Sequence, residues 1–105
     1  LNTEINRAVL AEQERQITLW GEQSHPDGTS PDNQHIADAA RDSCEAAFNS
    51  GRGTWFDILL EEVMEASAEA DEDALITELV QVSAVAQSWA AAIRRRQDAR
   101  QTVNA

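Results

Sequence analysis

The chain has 105 residues, a net charge of −11 and eight basic residues that are all arginine. That length suits one domain able to bury a core, and small enough to gain from oligomerisation. So acidic a surface excludes broad binding to nucleic acid polymers or to anionic membrane, because neutralising phosphates requires a basic patch. A small phosphate-bearing ligand stays open, since a metal ion can supply positive charge locally.

Residues 3–20 read as a first helix, with Thr3 as a candidate cap and Ile5, Val9, Ile17 and Leu19 at roughly helical spacing before Trp20-Gly21. Residues 21–33 collect Gly, Pro, Asp, Asn and Ser, a loop composition with turn chemistry at Pro26-Asp27-Gly28. A second helix is expected over 34–49, with Ile36, Ala40, Cys44, Ala47 and Phe48 on one side, before Gly51-Arg52-Gly53 breaks it. Thr54 is a good N-cap for a third helix to about Ala70, and Asp57 completes a capping box. Asp71-Glu72-Asp73 supplies a turn and negative charge at the start of a fourth helix. That helix is expected to end at Arg94-Arg95-Arg96, cations suited to a helix C-terminus, with 97–105 a frayed polar tail. No strand pattern or repeat is visible, so the expected class is all-α. The lone Cys44 cannot form an intramolecular disulfide. With no signal-like or membrane-length apolar segment, it favours a cytoplasmic protein without membrane contact.

On a wheel of about 100° per residue, the third helix separates two arcs. Phe56, Leu59, Leu60, Val63, Met64 and Ala70 form an apolar one; Glu61, Glu62, Glu65 and Glu69 form an acidic one. A solvated face is the ordinary explanation of an isolated acidic arc. Ile58 lies in the middle of it, however, which suggests that something covers the face. On the fourth helix, Glu78 projects from the centre of a stripe formed by Leu75, Val82, Val85, Ala86, Trp89 and Ile93, with Gln81 at its flank. A carboxylate on a covered face needs a partner. Arg15 or Arg52 could supply one, although facing Glu61, Glu62 and Glu65 across a short turn it would meet further negative charge. A hard cation such as Mg²⁺ resolves that conflict more economically.

Glu61-Glu62-x-x-Glu65, followed by Glu78-x-x-Gln81, resembles the EExxE…ExxD pattern of the all-α nucleotide pyrophosphohydrolases, the MazG-like and dimeric dUTPase group. The likeness covers residues 54–93. A looser one joins Trp20-Gly21-Glu22-Gln23-Ser24-His25 to the W…Q[ST]H segment of MazG domains. The resemblance implies a single MazG-like four-helix bundle over residues 1–105, with 26–53 as a loop and helix insertion, completed as a homodimer or homotetramer. It implies hydrolysis of (deoxy)nucleoside triphosphates to monophosphate and pyrophosphate with Mg²⁺ or Mn²⁺. Glu62, Glu65 and Glu78 would be the metal ligands and Glu61 the general base. Gln81 stands where the pattern has Asp, so one ligand charge is lost. That departure keeps a second reading open: a helical oligomer that binds nucleotides or partners without cleaving them.

Candidate substrate contacts are Trp20, as a platform for a base, His25 in the polar loop, and Arg15 and Arg52 as phosphate forks. Their ordinary alternatives are packing for the tryptophan and solvent exposure for the histidine. Trp55 and Trp89 are assigned to packing, and Cys44 to a small buried hydrophobe. A di-iron carboxylate bundle is set aside because such sites take a Glu-x-x-His motif from each of two helices; here Glu22-x-x-His25 falls in the polar loop, and His35 follows Asp32 rather than a glutamate.

Overall fold

In a computed structural model, which describes residues 2–104, the chain is all-α, and no strand occurs among the described residues. Four helices follow in order: α1 (Thr3–Trp20), α2 (Gln34–Asn49), α3 (Trp55–Ser67) and α4 (Glu72–Asn104), with a 3₁₀ turn at Pro31–Asn33 before α2. Leu1 and Ala105, the ends of the expected domain and tail, lie outside the described residues. The chain divides into two compact units where its length suggests one. The first combines residues 1–26 with 87–105, the second is 27–86, and α4 contributes to both.

In the first unit, α1 is capped by Asn2 rather than Thr3: the Asn2 Oδ1 accepts the Ile5 N–H at 2.9 Å. An amide at that position reaches an orphan donor of the first turn, leaving Thr3 as the first helical residue. Gly21 ends the helix at φ 69°, a conformation that favours glycine, and its N–H donates to the Ile17 carbonyl at 2.7 Å. Ile5 and Val9 are half-buried, whereas Ile17, Leu19 and Trp20 are exposed.

The expected end of α4 at the arginine triplet is corrected. The helix continues to Asn104 because residues 97–103 contain no proline or glycine and are mostly tolerant of helix. Arg94–Arg96 therefore lie mid-helix and do not answer a C-terminal dipole. Arg94 Nε instead meets Glu4 Oε1 of α1 at 3.3 Å, both side chains exposed.

In the second unit, α2 and α3 pack together across a short connection, residues 50–54, the construction of an antiparallel αα-hairpin. Thr54 and Asp57 form the expected capping box. The Thr54 hydroxyl accepts the Asp57 N–H at 3.1 Å, and the Asp57 carboxylate accepts the Thr54 N–H at 2.9 Å. Gly53 is required by a close approach: a Cβ there would run into the Phe48 ring.

The helix α3 stops at Ser67, three residues short of expectation, and its final carbonyl is taken up by the preceding loop. The Ser67 oxygen accepts from the Ser30 N–H at 2.9 Å and from the Asn33 side-chain amide at 3.1 Å. A helix end otherwise lacks partners for its last carbonyls, so these two bonds pin the loop to α3. Asp71 then starts α4, its carboxylate accepting the Ala74 N–H at 2.9 Å.

The buried apolar side chains are small: Ala37, Cys44, Ala66, Ala68 and Ala91, with Leu75 the one larger member. On α3 both arcs are partly covered, and Leu59 and Met64 of the apolar arc are half-buried. Phe56, Leu60 and Val63 are exposed, while Ile58, Glu61, Glu62 and Glu65 are half-buried and Ala66 is buried. The cover anticipated from Ile58 is therefore present over the acidic side.

Candidate metal centre

The site belongs wholly to the second unit. Its first helix, α3, is started by the Thr54–Asp57 box and stopped by the loop held at Ser67, which leaves Glu61, Glu62 and Glu65 in the interior turns. Its second helix, α4, begins at the Asp71 cap, so Leu75 is buried three residues into the helix and Glu78 follows one turn later on the same side.

Glu62, Glu65 and Glu78 each offer one carboxylate oxygen, and the three oxygens lie within 4.8 Å of one another. All three residues are half-buried. Glu78, expected at the centre of a covered stripe, does lie among the covered residues of α4: Leu75 is buried, and Val82, Val85 and Trp89 are half-buried. Ala86 of that stripe is exposed.

Gln81 completes the group. With its nitrogen turned inward, its amide donates to Glu62 Oε2 at 2.9 Å and to Glu78 Oε2 at 3.1 Å. These two bonds join α3 to α4 and partly offset the crowding of charge. With its oxygen turned inward, the same side chain presents a fourth oxygen. Ligands at adjacent corners of an octahedron with metal–oxygen bonds of 2.0–2.1 Å are separated by about 2.9 Å. Gln81 thus stands at a ligand-to-ligand spacing from two of the carboxylates.

The electrostatics follow from this crowding. Burial first, then the Glu78 and Glu61 charges, pushes the Glu62 carboxyl above its ordinary range. Glu65 is raised by burial, then by Glu62, Glu61 and Glu78, with the Arg41 charge acting in the opposite direction. The raised carboxyls of Glu62 and Glu65 are ones that a cation would relieve. In donor type and convergence, the residues suit a hard divalent ion: three carboxylates and one amide oxygen, all on two rigid helices.

Glu61 stands apart from the three converging oxygens, yet near enough for its charge to bear on both Glu62 and Glu65. Its neighbour across the hairpin is Cys44, which is buried as expected. Burial, then the adjoining Glu61 carboxylate, pushes the Cys44 thiol up to about 11. A thiol so raised stays protonated near neutrality and has no nucleophilic role.

Arg15 is engaged by Glu12, its guanidinium donating to both carboxylate oxygens at 2.7 and 2.6 Å, which holds the Glu12 carboxyl down to about 2. Trp20 is 61% exposed, so it is not a core tryptophan. His25 is also exposed, with Nε2 3.0 Å from the Gln23 side-chain oxygen. These three belong to the first unit and the carboxylates to the second. Arg52 is exposed in the α2–α3 connection, where its N–H donates to the Ala47 carbonyl at 2.8 Å.

The arginine that the sequence reading missed is Arg41. It lies four residues after Ala37 and three before Cys44, on the buried side of α2, and its charge reaches Glu65. The available signal was position, because helical spacing puts residue 41 on the same face as 37, 44 and 48.

No family model, curated protein or solved structure matches this chain.

Proposed function

We propose that the protein is a metal-dependent nucleoside triphosphate pyrophosphohydrolase of the MazG-like, all-α kind. The observation that carries this reading is the convergence of Glu62, Glu65 and Glu78 from two helices, with Gln81 within hydrogen-bonding reach of two of them. Glu62, Glu65 and Glu78 would hold Mg²⁺ or Mn²⁺, with Gln81 adding a neutral oxygen. Such an ion neutralises charge on phosphate oxygens and lowers the pKa of a bound water.

Glu61 carries the proton work in this reading. Its carboxylate accepts the proton of the attacking water as the water oxygen bonds to the α-phosphorus. The bond from that phosphorus to the α–β bridging oxygen breaks, and pyrophosphate leaves with that oxygen. Glu61 stands outside the three converging oxygens, and its carboxylate accepts a hydrogen bond from the protonated Cys44 thiol, which orients it in this role. In this reading a second copy of the chain completes the helical assembly. Exposed Phe56, Leu60 and Val63 on α3, and Ile76, Leu79 and Val80 on α4, supply apolar surface for that contact.

The test is pyrophosphate release from each dNTP and NTP with Mg²⁺ or Mn²⁺, against a Glu62→Gln control of matched helicity. Release that depends on metal and on Glu62 is expected. Release no greater than the control's with every nucleotide would overturn the reading. Gln81 favours one alternative, a nucleotide-binding oligomer without hydrolysis, because its amide satisfies Glu62 and Glu78 without any ion. Nucleotide binding without turnover, converted to turnover by Gln81→Asp, would establish that alternative.

A further inference from the structure

We propose that the groove at the end of α1 receives Arg96 and Arg100 from α4 of a second copy, which makes the first unit a charge-based self-association surface. This goes beyond the reading above: it needs neither metal nor hydrolysis, and it uses none of the apolar residues on α3 and α4 assigned there to a second copy.

From Leu10 to Trp20 every residue of α1 is exposed. Gly21 then turns the chain with its positive φ, and a groove of about 580 Å³ opens there, lined by Gln13, Gln16, Ile17, Gly21, Glu22 and Gln23. The lining offers acceptors and no cation. Glu22 is a carboxylate, and the Gln16 amide nitrogen is engaged by Glu12 at 3.2 Å, which leaves the Gln16 oxygen to accept. Ile17, 57% exposed, adds an apolar patch. A guanidinium on a methylene stem matches this combination, the head taking the acceptors and the stem lying on the isoleucine.

The chain holds such groups in one place. Residues 27–86 carry fourteen carboxylates and two arginines, a net −12, whereas the first unit has five carboxylates and six arginines, a net +1. Second units of two copies therefore repel, and the near-neutral first unit is where copies can meet. Four of its arginines lie at 94–100 of α4, and Arg94 is engaged by Glu4 of α1. Arg96 and Arg100 stand about 200° and about 240° round the helix from Arg94, on the side away from that contact. Both are exposed, and neither has a partner among the described residues. One turn apart, their like charges repel each other, and an acceptor-lined groove relieves that repulsion.

The arginines of the same copy are out of reach, so the occupant is a second one. Arg94 marks the level of Glu4, and Ile17 lies about 20 Å further along α1. An arginine side chain extends roughly 7 Å. Residues 98–103 are exposed throughout, so α1 does not lie along them either. A two-fold pair satisfies both copies at once, each groove receiving the other's arginines.

The experiment measures dimer dissociation of the full chain in EDTA by analytical ultracentrifugation, at about 50 and about 500 mM NaCl. Wild type, Arg96→Glu/Arg100→Glu, Glu22→Arg, the combination of these three changes and Leu60→Asp are compared after circular dichroism confirms equal helix content. Wild type is expected to dimerise, with affinity at least about tenfold weaker at the higher salt. Each charge variant should weaken the dimer at least about tenfold, and the combination, which exchanges the two charges, should recover most of the loss. A dimer that neither charge variant weakens would overturn the proposal, and loss in Leu60→Asp alone would then assign the contact to α3. Weakening in both variants without recovery in the combination would overturn the pairing. So would a monomeric wild type, and a monomer that binds a tri-arginine peptide through Glu22 would give the groove to a foreign basic partner. Charge-paired dimers without nucleotide hydrolysis would sink the hydrolase reading and spare this one; hydrolysis by a wild-type monomer would do the reverse.

Discussion

Gln81→Glu is the most searching perturbation because it replaces the bridging amide by a carboxylate of the same shape. In the ion-free chain, with its nitrogen turned inward, Gln81 donates to Glu62 Oε2 at 2.9 Å and Glu78 Oε2 at 3.1 Å. The variant exchanges both hydrogen bonds for two close like-charge contacts. Gln81 is exposed, so each repulsion should stay near the aqueous value of about 1 kcal/mol at 4 Å rather than the interior one. Two lost bonds to charged acceptors add about 1 kcal/mol each after discounting for solvent. The total, about 4 kcal/mol, meets a ceiling: a glutamate near pH 7 escapes by taking up a proton, at a cost of about 3.7 kcal/mol. A destabilisation of about 2–4 kcal/mol is therefore expected in chelator, a fall in Tm of about 10–20 °C for a chain of this size. In Mn²⁺ the sign reverses, because the fourth carboxylate becomes a ligand and the variant should bind the ion at least about tenfold more tightly. The assay is thermal unfolding by circular dichroism in EDTA and across a Mn²⁺ series. Equal Tm in EDTA together with equal Mn²⁺ affinity would refute the placement of Gln81 in the site.

Two further outcomes follow from the same geometry. Glu62 and Glu65 have carboxyls raised in the folded chain, so the folded state holds protons that the unfolded state releases. Their contribution to stability is complete below the ordinary carboxylate range and is lost as pH rises through their folded values. Tm in EDTA should therefore climb as pH falls through those raised values towards the ordinary carboxylate range, saturating Mn²⁺ should flatten the slope, and Glu62→Gln/Glu65→Gln should reduce it; an unchanged slope in that variant contradicts the assignment. Gly53→Ala drives a methyl group into the Phe48 ring and should cost about 1–3 kcal/mol. In urea unfolding, Phe48→Ala should remove most of that cost, and strict additivity of the two changes would count against the contact.

Local signals carried the starts of α3 and α4, and they were legible because each is a short-range hydrogen-bond pattern. The Thr54–Asp57 box sits within four residues and behaves as its composition dictates. Helix ends were less legible. Arg94–Arg96 resemble a C-terminal cap in charge, yet residues 97–103 offer no breaker, and the helix continues. The loop that stops α3 at Ser67 acts from Ser30 and Asn33, more than thirty residues away in sequence, and no local pattern announces it. Within the site, helical period put Glu61, Glu62 and Glu65 on one face of α3 and Glu78 on the apolar stripe of α4, and the motif resemblance singled out Glu62, Glu65 and Glu78. The contribution of Arg41 was not legible, because a hydrophobicity wheel assigns every arginine to solvent, whereas a long side chain can lie along a packed face and keep its head accessible.

The partial covering of both α3 arcs ties these observations together. A helix with an apolar and an acidic arc ordinarily turns the apolar arc inward. Here Phe56, Leu60 and Val63 face outward while Glu61, Glu62 and Glu65 are half-covered, and both choices oppose the isolated chain. The outward arc forgoes apolar burial worth roughly 25 cal/mol per Å². The inward one holds Glu62 and Glu65, whose carboxyls are raised by burial and by neighbouring negative charge. A core whose largest buried side chain is Leu75 has little surplus with which to offset either. On the proposed reading, a second copy relieves the first conflict and a divalent ion the second. Each binds only the folded chain, so each adds to stability through its own concentration. Tm should then rise with protein concentration in EDTA and rise again with Mn²⁺ at fixed protein concentration. The α3 arcs, which run against the hydrophobic rule in the lone chain, become consistent with it when both partners are bound.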